Sequence, residues 1–128
     1  MYAGKAVEDS LRESGATWRR VAPGEWGLTV SAGGADLHVG LALRGGMLAA
    51  QAEVAGPGAL SEHALLRRNR TLRIVRFSHT AAGAVYLQGE VPEGAVTVAE
   101  VDRLLGLLVA PAGRVGAASR GEIGRAHV

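Results

Sequence analysis

Hydrophobic and polar positions change their period along this chain, and each change marks the start of a new element. Val7 and Leu11 lie at helical spacing within Ala3–Ser14, and Gly15 follows as a stop signal, so this stretch predicts a first helix. Between residues 17 and 54 the apolar positions recur every second residue, which is typical of half-buried strands. The pattern therefore predicts a helix followed by a sheet.

Pairs of glycines divide this alternating region into strands. Gly33-Gly34 and Gly45-Gly46 each fit a two-residue turn, and turns this short join antiparallel neighbours. The predicted strands are Trp26–Ala32, Leu37–Leu43 and Met47–Val54, with Trp18–Ala22 as a candidate fourth strand at the edge.

A second helix and two further strands follow. Ser61 is suited to cap the N-terminus of a helix that ends at Arg68, and Asn69 is suited to the left-handed position that closes a helix. The next two predicted strands cover residues 71–78 and 85–91, with Gly83 in the turn between them. We expect this helix and these strands to extend the same domain.

The first of these two strands has an irregular pattern. Ile74 would share one face with Arg76, whereas Phe77 would share the other face with Arg73. A β-bulge or an interface would each account for arginines on both faces, and the pattern alone does not choose between them.

The last predicted helix completes the fold. Thr97 and Glu100 match a capping box, and Pro111 is expected to end the helix because proline lacks the N–H group that a helix interior needs. The apolar stripe between them consists of Val98, Val101, Leu104, Leu105 and Leu108. The elements together predict an α+β two-layer domain, in which helices cover an antiparallel sheet in the order α-β-β-β(-β)-α-β-β-α.

Composition narrows the class of protein. A chain of 128 residues that is 48% hydrophobic forms one domain with a real core, and the absence of cysteine removes disulfides and thiol chemistry. The sequence contains no uncharged apolar run of about 18 residues and no signal-peptide pattern, so a soluble, cytoplasmic protein is expected. The formal charge of +2 does not by itself imply nucleic acid or a membrane as a partner.

Residues that could carry catalysis or bind a metal are scattered. His38, His63 and His79 have no metal-ligand spacing, and no serine lies in a nucleophile-elbow motif. The paired glycines precede strands rather than helices, so they are not phosphate loops. We therefore expect a non-enzymatic protein without a cofactor or a metal site.

Five arginines fall within ten residues, at positions 67, 68, 70, 73 and 76. One interpretation is a solvated helix end whose strand arginines pair with Glu90 and its neighbours. A second is a contact surface for an acidic protein segment or for a second copy, and a third is a nucleic-acid site. The segment offers only Phe77 for base stacking, which counts against the third interpretation.

Two short motifs carry a resemblance to a known family. The helix end Leu65-Leu66-Arg67-Arg68-Asn69 and the loop Val91-Pro92-Glu93-Gly94, with two strands and a turn between them, resemble the YbjN-like relatives of type III secretion chaperones. The resemblance implies a homodimer that binds an extended segment of another protein. Ala81-Ala82-Gly83 replaces the acidic turn of that family, and the extra arginines and the candidate fourth strand also depart from its pattern.

These observations lead to one expected function and one alternative. The expected function is a non-enzymatic, chaperone-like or regulatory module that binds an acidic or extended protein segment. Its alternative is a nucleic-acid-associated accessory protein that uses the basic patch from Arg67 to Arg76. The residues expected to form the partner- or dimer-binding surface are Leu65, Leu66, Arg67, Asn69, Arg73 and Arg76.

The C-terminal end has a separate explanation. Glu122–Val128 matches the translation of a common sequencing adapter, so we expect the natural C-terminus to differ from the sequence beyond about residue 121. The expected organisation is a single domain over residues 1–111, a Gly/Ala-rich frayed tail over residues 112–121 and the adapter-derived end over residues 122–128.

Overall fold

The computed structural model describes residues 2–119 of the chain. Over these residues a first helix precedes a four-stranded meander, and a second helix, two more strands and a long third helix follow. The elements are α1 (Ala3–Ser14), β1 (Thr17–Ala22), β2 (Glu25–Ala32), β3 (Ala35–Arg44), β4 (Met47–Ala55), α2 (Glu62–Asn69), β5 (Val75–His79), β6 (Val85–Pro92) and α3 (Val98–Ser119), with a 3₁₀ turn at Glu93–Ala95.

The six strands form one antiparallel sheet in the order β1-β2-β3-β4-β6-β5. The helix α3 packs across strands β2 to β6, and α1 packs against α3. Apolar side chains from alternate strand positions meet the two helices in one core, whose fully buried members include Val7, Leu11, Leu41, Leu48, Leu87, Leu104 and Leu108. The α+β fold class predicted from the sequence is confirmed. The candidate edge strand is present as β1, so the meander has four strands.

Local signals in the sequence placed most helix ends correctly. Gly15 closes α1 with a φ of 72°, which glycine adopts without a steric penalty. Ser61 Oγ accepts a hydrogen bond from Ala64 N–H at 3.1 Å, and Thr97 Oγ1 accepts one from Glu100 N–H at 3.1 Å. These caps satisfy N–H groups that have no partner within their own helix.

The prediction that α3 ends at Pro111 is wrong. The helix continues through Pro111 to Ser119, so residues 112–119 are helical rather than a frayed tail. A proline inside a helix costs about 3 kcal/mol, but Pro111, Ala112 and Val115 extend the apolar stripe of Leu108 and are themselves buried. Burial of that stripe therefore offsets the lost hydrogen bond. The expected adapter-derived end, residues 122–128, lies outside the described residues.

Two boundaries near α2 also differ from the prediction. Asn69 is the last residue of α2 instead of a left-handed closing residue, and the cap at Arg70 is right-handed. The following strand begins at Val75 rather than at residue 71, because the backbone turns sharply at Ile74, where φ is 68°. The irregular pattern of this segment thus marks a turn before a shorter strand.

The C-terminal half of α3 contacts the β2–β3 turn through glycine. A Cβ atom added at Gly113 would lie 2.9 Å from the backbone nitrogen of Gly33, and one added at Gly33 would lie 2.7 Å from the carbonyl oxygen of Gly113. Real Cβ atoms are not found at such distances, so backbone meets backbone only because both positions lack a side chain. This contact fixes α3 over the sheet beyond Pro111.

We expect Gly113→Ala to lower the free energy of unfolding by about 1–3 kcal/mol, because the added methyl group overpacks this contact. Gly106→Ala is the matched control on the same helix, since a Cβ atom there meets nothing within 4 Å. It is expected to raise the free energy of unfolding by up to about 1 kcal/mol through helix propensity. Urea unfolding measures both, and equal stabilisation by the two substitutions would contradict the close approach.

Candidate functional site

The two edges of the sheet differ in their hydrogen bonding, and the edge at β5 is closed by a side chain. Phe77 N–H donates to Asn69 Oδ1 at 2.7 Å, and Asn69 Nδ2 donates to the Phe77 carbonyl at 3.1 Å. Since the N–H and C=O of one strand residue point to the same side, both groups of Phe77 face away from β6. The Asn69 amide therefore occupies the place that a further strand would take.

A tight turn removes another donor from this edge. Val75 N–H donates to the Arg73 carbonyl at 2.6 Å across Ile74, which makes a γ-turn of the rare type with positive φ. A β-branched residue is strained in this conformation. The turn also leaves the Ile74 side chain 40% exposed.

The edge at β1 is open. The backbone of β1 bonds to β2, and within residues 2–119 it makes no other hydrogen bond. The two-residue turn at Gly33-Gly34 determines which residues of β2 form hydrogen bonds with β3. Alternate residues of a strand bond to opposite neighbours, so Thr29 and Gly27 bond to the other neighbour, β1, at Thr17 and Arg19. The backbone N–H and C=O groups of Trp18 and Arg20 therefore point outwards, toward any strand that is added.

Grooves lie on both sides of β1. One has a volume of about 670 Å³ and extends from Ser14 and Thr17 to Leu28, Asp102 and Leu105, beside the helices. The other has a volume of about 490 Å³ and lies on the opposite face of the sheet, where its lining includes Arg19, Gly27, His38 and Gly40. Successive side chains of a strand point to opposite faces, so a strand added at β1 could place side chains in both grooves.

A buried carboxylate holds β1 against α1. Glu8 is only 9% exposed, and its carboxylate accepts hydrogen bonds from Trp26 Nε1 at 2.9 Å and from Arg20 Nε at 2.9 Å. Arg20 makes a second, shorter contact to the same oxygen, and Arg12 approaches the other oxygen at 3.4 Å. The hydrogen bonds from Trp26 and Arg20 lower the pKa of Glu8 below its ordinary value, because they stabilise the charged form more than burial penalises it.

The structure divides the six residues that the sequence predicted as a binding surface. Leu65 is buried in the core, and Asn69 closes the β5 edge, so both support the fold. Leu66 is 69% exposed on the outer side of α2. The exposed arginines of the set are Arg67, Arg73 and Arg76.

The exposed side of α2 forms a shallow groove of about 340 Å³ that we call the α2 face, lined by His63, Leu66, Arg67 and Arg70. None of the five arginines between Arg67 and Arg76 forms an ion pair or a side-chain hydrogen bond within the described residues. Arg76 lies opposite Gln88, and the proposed pairing of the strand arginines with Glu90 is not seen. By contrast, ion pairs are formed elsewhere by Arg12, Arg20, Arg44 and Arg103.

The histidines do not assemble a site. His38 Nδ1 lies 3.0 Å from Thr29 Oγ1, and His79 Nδ1 lies 3.0 Å from the Thr80 carbonyl. Over the described part of the chain, no three His, Asp or Glu side chains are close enough together to hold a metal ion. No helix in that part is both long and apolar enough to cross a membrane.

Sequence reasoning missed Glu8, the open edge at β1 and the γ-turn at Ile74. A signal for Glu8 was present, because it lies three residues before Leu11, at helical spacing, on the mostly apolar face of α1. No comparable signal marks Ile74, since isoleucine is disfavoured at positive φ.

The fold is that of the type III secretion chaperones. A chain of the HopA1–SchA chaperone–effector complex matches with a TM-score of 0.68 and 10% identity, covering 88% of this chain and 91% of that one. The Yersinia pestis type III secretion chaperone SycH, in complex with a fragment of YscM2, gives 0.65 and 17%, covering 90% and 99%. The heterodimeric ExoU–SpcU complex of Pseudomonas aeruginosa gives 0.56 and 15%, covering 72% and 81%.

These identities show the fold alone. No family model matches the chain, and no curated protein sequence matches it. The YbjN-like resemblance therefore stays a prediction.

We expect Glu8→Gln to lower the free energy of unfolding at pH 7 by about 1–3 kcal/mol, because charged hydrogen bonds to Trp26 and Arg20 are weakened. The folded-state pKa of Glu8 lies below its unfolded value of about 4.3, so the carboxylate stabilises the fold above that pH and ceases to do so as pH falls through the lower folded pKa. The difference between parent and variant should accordingly shrink in acid.

Urea unfolding at pH 7, 4 and 3 checks this expectation. Glu13→Gln is the control, since Glu13 is exposed on the same helix and forms no ion pair within residues 2–119. A difference between parent and Glu8→Gln that is constant with pH would show that the charge of Glu8 does not hold β1.

Asn69→Ala should lower the free energy of unfolding by about 1–3 kcal/mol and should also cause concentration-dependent self-association, because it uncovers the N–H and C=O groups of Phe77 at a sheet edge. Thr71→Ala is a neighbouring control whose hydroxyl contacts only the end of α2. Sedimentation velocity over a concentration series measures the association. A stable, monodisperse Asn69→Ala variant would show that the amide does not close this edge.

Proposed function

We propose that this chain is a non-enzymatic, chaperone-like protein that acts in the cytoplasm and holds an extended segment of another protein. The fold supports the proposal, since it is shared with chains of complexes between secretion chaperones and their bound proteins. The same fold can serve different functions, so the function is inferred from the residues of the site.

The observation that carries the proposal is that the sheet has one open edge. Asn69 closes the β5 edge at Phe77, whereas the backbone groups of Trp18 and Arg20 point outwards from β1. An extended segment that adds to a sheet edge gains main-chain hydrogen bonds, and its alternate side chains enter flanking pockets. The two grooves beside β1 are in the position that such side chains would reach.

The α2 face and the neighbouring arginines form a second proposed contact surface. Of the residues expected there, Leu66, Arg67, Arg73 and Arg76 are exposed and available to a partner or to a second copy in a homodimer. Leu65 and Asn69 would act indirectly, by holding α2 in place.

A nucleic-acid accessory role is the second candidate, and the unpaired arginines are the observation that favours it. Single-strand binders stack bases on exposed aromatic side chains. Phe77, the aromatic residue of this segment, is only 5% exposed. The protein-binding proposal is therefore the better supported of the two.

Substitutions at Trp18 test the open edge. Trp18→Pro and Trp18→Ala both remove the indole ring, but only proline also removes the outward N–H group that an added strand would use. The ladder to β2 does not use this group, so both variants should fold. We expect Trp18→Pro to lose at least about tenfold more affinity than Trp18→Ala, the equivalent of one or two backbone hydrogen bonds.

The measurement is capture of protein partners from a nuclease-treated lysate of the source organism, followed by titration of the recovered partner. Thermal unfolding of both variants establishes that they are folded. If Trp18→Pro binds the recovered partner as well as Trp18→Ala, strand addition at β1 is excluded.

A further inference from the structure

The two grooves beside β1 differ in charge. The groove on the helix side, which we call the helix-side groove, is lined by two acidic residues, Glu13 and Asp102, and by no lysine or arginine. The groove on the opposite face, which we call the outer groove, is lined by Arg19 and His38 and by no acidic residue. An added strand would therefore meet negative charge on one face and positive charge on the other.

Neither carboxylate of the helix-side groove is neutralised within the described residues. Glu13 lies in the last turn of α1, is exposed and forms no ion pair there. Asp102 is exposed near the start of α3, and its Oδ1 accepts a hydrogen bond from the hydroxyl of Ser10, which is fully buried. This bond ties the Asp102 carboxylate to α1 without neutralising its charge.

Two cations also lie on the helix side of β1, but acidic residues of α1 already balance their charge. Arg20 pairs with Glu8, and Arg12 pairs with Glu8 and Asp9. Neither arginine lines the helix-side groove. The charge of this groove is therefore set by the two carboxylates of its own lining.

We infer that the helix-side groove binds a lysine or arginine side chain of the segment that is added at β1. The inference rests on the proposed strand addition and names the chemistry of the segment at that edge. Long basic side chains pack their aliphatic stem on apolar surface and keep the charged end near water. Leu28, Val30 and Leu105, which also line the groove, would contact the stem, and the carboxylates would meet the charged end.

The charge difference between the grooves also determines which way the segment faces. Main-chain hydrogen bonds are the same for any sequence, whereas a shift of one residue moves every side chain of a strand to the other face. A shifted segment would place its basic side chains beside Arg19, where like charges repel. We therefore expect the segment to carry basic residues at alternate positions, with uncharged or acidic residues between them.

The overall charge of the chain favours the opposite preference. Its formal charge is +2, so non-specific attraction would favour an acidic segment over a basic one. A preference for a basic segment has to arise from the local charge of the groove. Binding experiments can therefore separate the inferred pocket from general electrostatic attraction.

The test uses four fluorescein-labelled peptides of about 12 residues, enough to span a strand, with the full chain in fluorescence anisotropy. The first alternates threonine with lysine, and the second and third replace lysine with glutamine and with glutamate. The fourth has the composition of the first but carries its lysines in adjacent pairs, so that they face both grooves. We expect the first to bind at least about fivefold more tightly than each of the others.

Variants assign this preference to the helix-side groove. Glu13→Gln combined with Asp102→Asn should weaken binding of the alternating lysine peptide roughly fivefold, as expected for the loss of two exposed ion pairs, and should leave the glutamine peptide unchanged. Asparagine keeps an oxygen that can accept the hydrogen bond from Ser10. The matched control combines Glu93→Gln with Asp36→Asn, because both residues are exposed and line neither groove. It should leave the affinity for the lysine peptide unchanged.

Arg19→Gln tests the choice of face. Without this charge, basic side chains are no longer repelled from the outer groove, so the difference in affinity between the two lysine peptides should narrow. The preference of the chain for lysine over glutamine should remain, since Arg19 does not line the helix-side groove. An unchanged difference between the two lysine peptides would contradict the role of Arg19 in setting the register.

Several outcomes would overturn the inference: no binding of the alternating lysine peptide, equal or tighter binding of the glutamine or glutamate peptide, or equal effects of the two double variants. Trp18→Pro should weaken the lysine peptide more than Trp18→Ala does, because it removes the outward N–H group. If Trp18→Pro has this effect on all peptides and lysine is not preferred, this inference alone is rejected. If lysine is preferred but the two Trp18 variants bind alike, strand addition at β1 is rejected.

Discussion

The arrangement of the sheet edge at β1 depends on the hydrogen bonds that the carboxylate of Glu8 accepts. This carboxylate lies among the apolar side chains of α1 and accepts hydrogen bonds from Trp26 of β2 and Arg20 of β1. An edge strand is otherwise held on one side only, by its pairing with β2. Because Glu8 is charged and nearly buried, removal of the Arg20 or the Trp26 side chain would leave its carboxylate with fewer hydrogen bonds than a buried charge needs. The open edge is thus kept in a fixed position that can receive another strand.

The two edges of the sheet differ because different residues flank them at opposite ends of the strand order. An exposed sheet edge is prone to unwanted pairing, and proteins cover or interrupt such edges. Here Asn69 covers β5 with its amide, and the turn at Ile74 shortens the strand at a cost in strain. At β1 the edge remains available over Thr17–Arg20, until the register shift before Ala22 interrupts it. One edge is therefore covered at Phe77, whereas the other is open within the described residues.

Most of the fold could be predicted from the sequence, because burial of one face gives each helix and strand its own spacing of apolar residues. The paired glycines at 33–34 and 45–46 set the strand boundaries, and the stripe of α3 identified its core face. The stripe continues past Pro111 to the buried Val115, so the proline does not end the helix as its missing N–H group predicts. The role of Asn69 depends on Phe77, eight residues away, and such a contact has no local signal. Site prediction was therefore less complete than fold prediction: the open edge at β1 was not predicted, and a binding role for Leu66 and Arg67 stays a prediction.

The central claim is that an extended segment of a partner pairs with β1. The most direct measurement is amide hydrogen exchange of β1, residue by residue, in the chain alone and in its complex with the captured partner. The account predicts that exchange slows at Trp18 and Arg20 on binding, with little change at Thr17 and Arg19, whose N–H groups already bond to β2. Unchanged exchange at Trp18 and Arg20 in a saturated complex would contradict it.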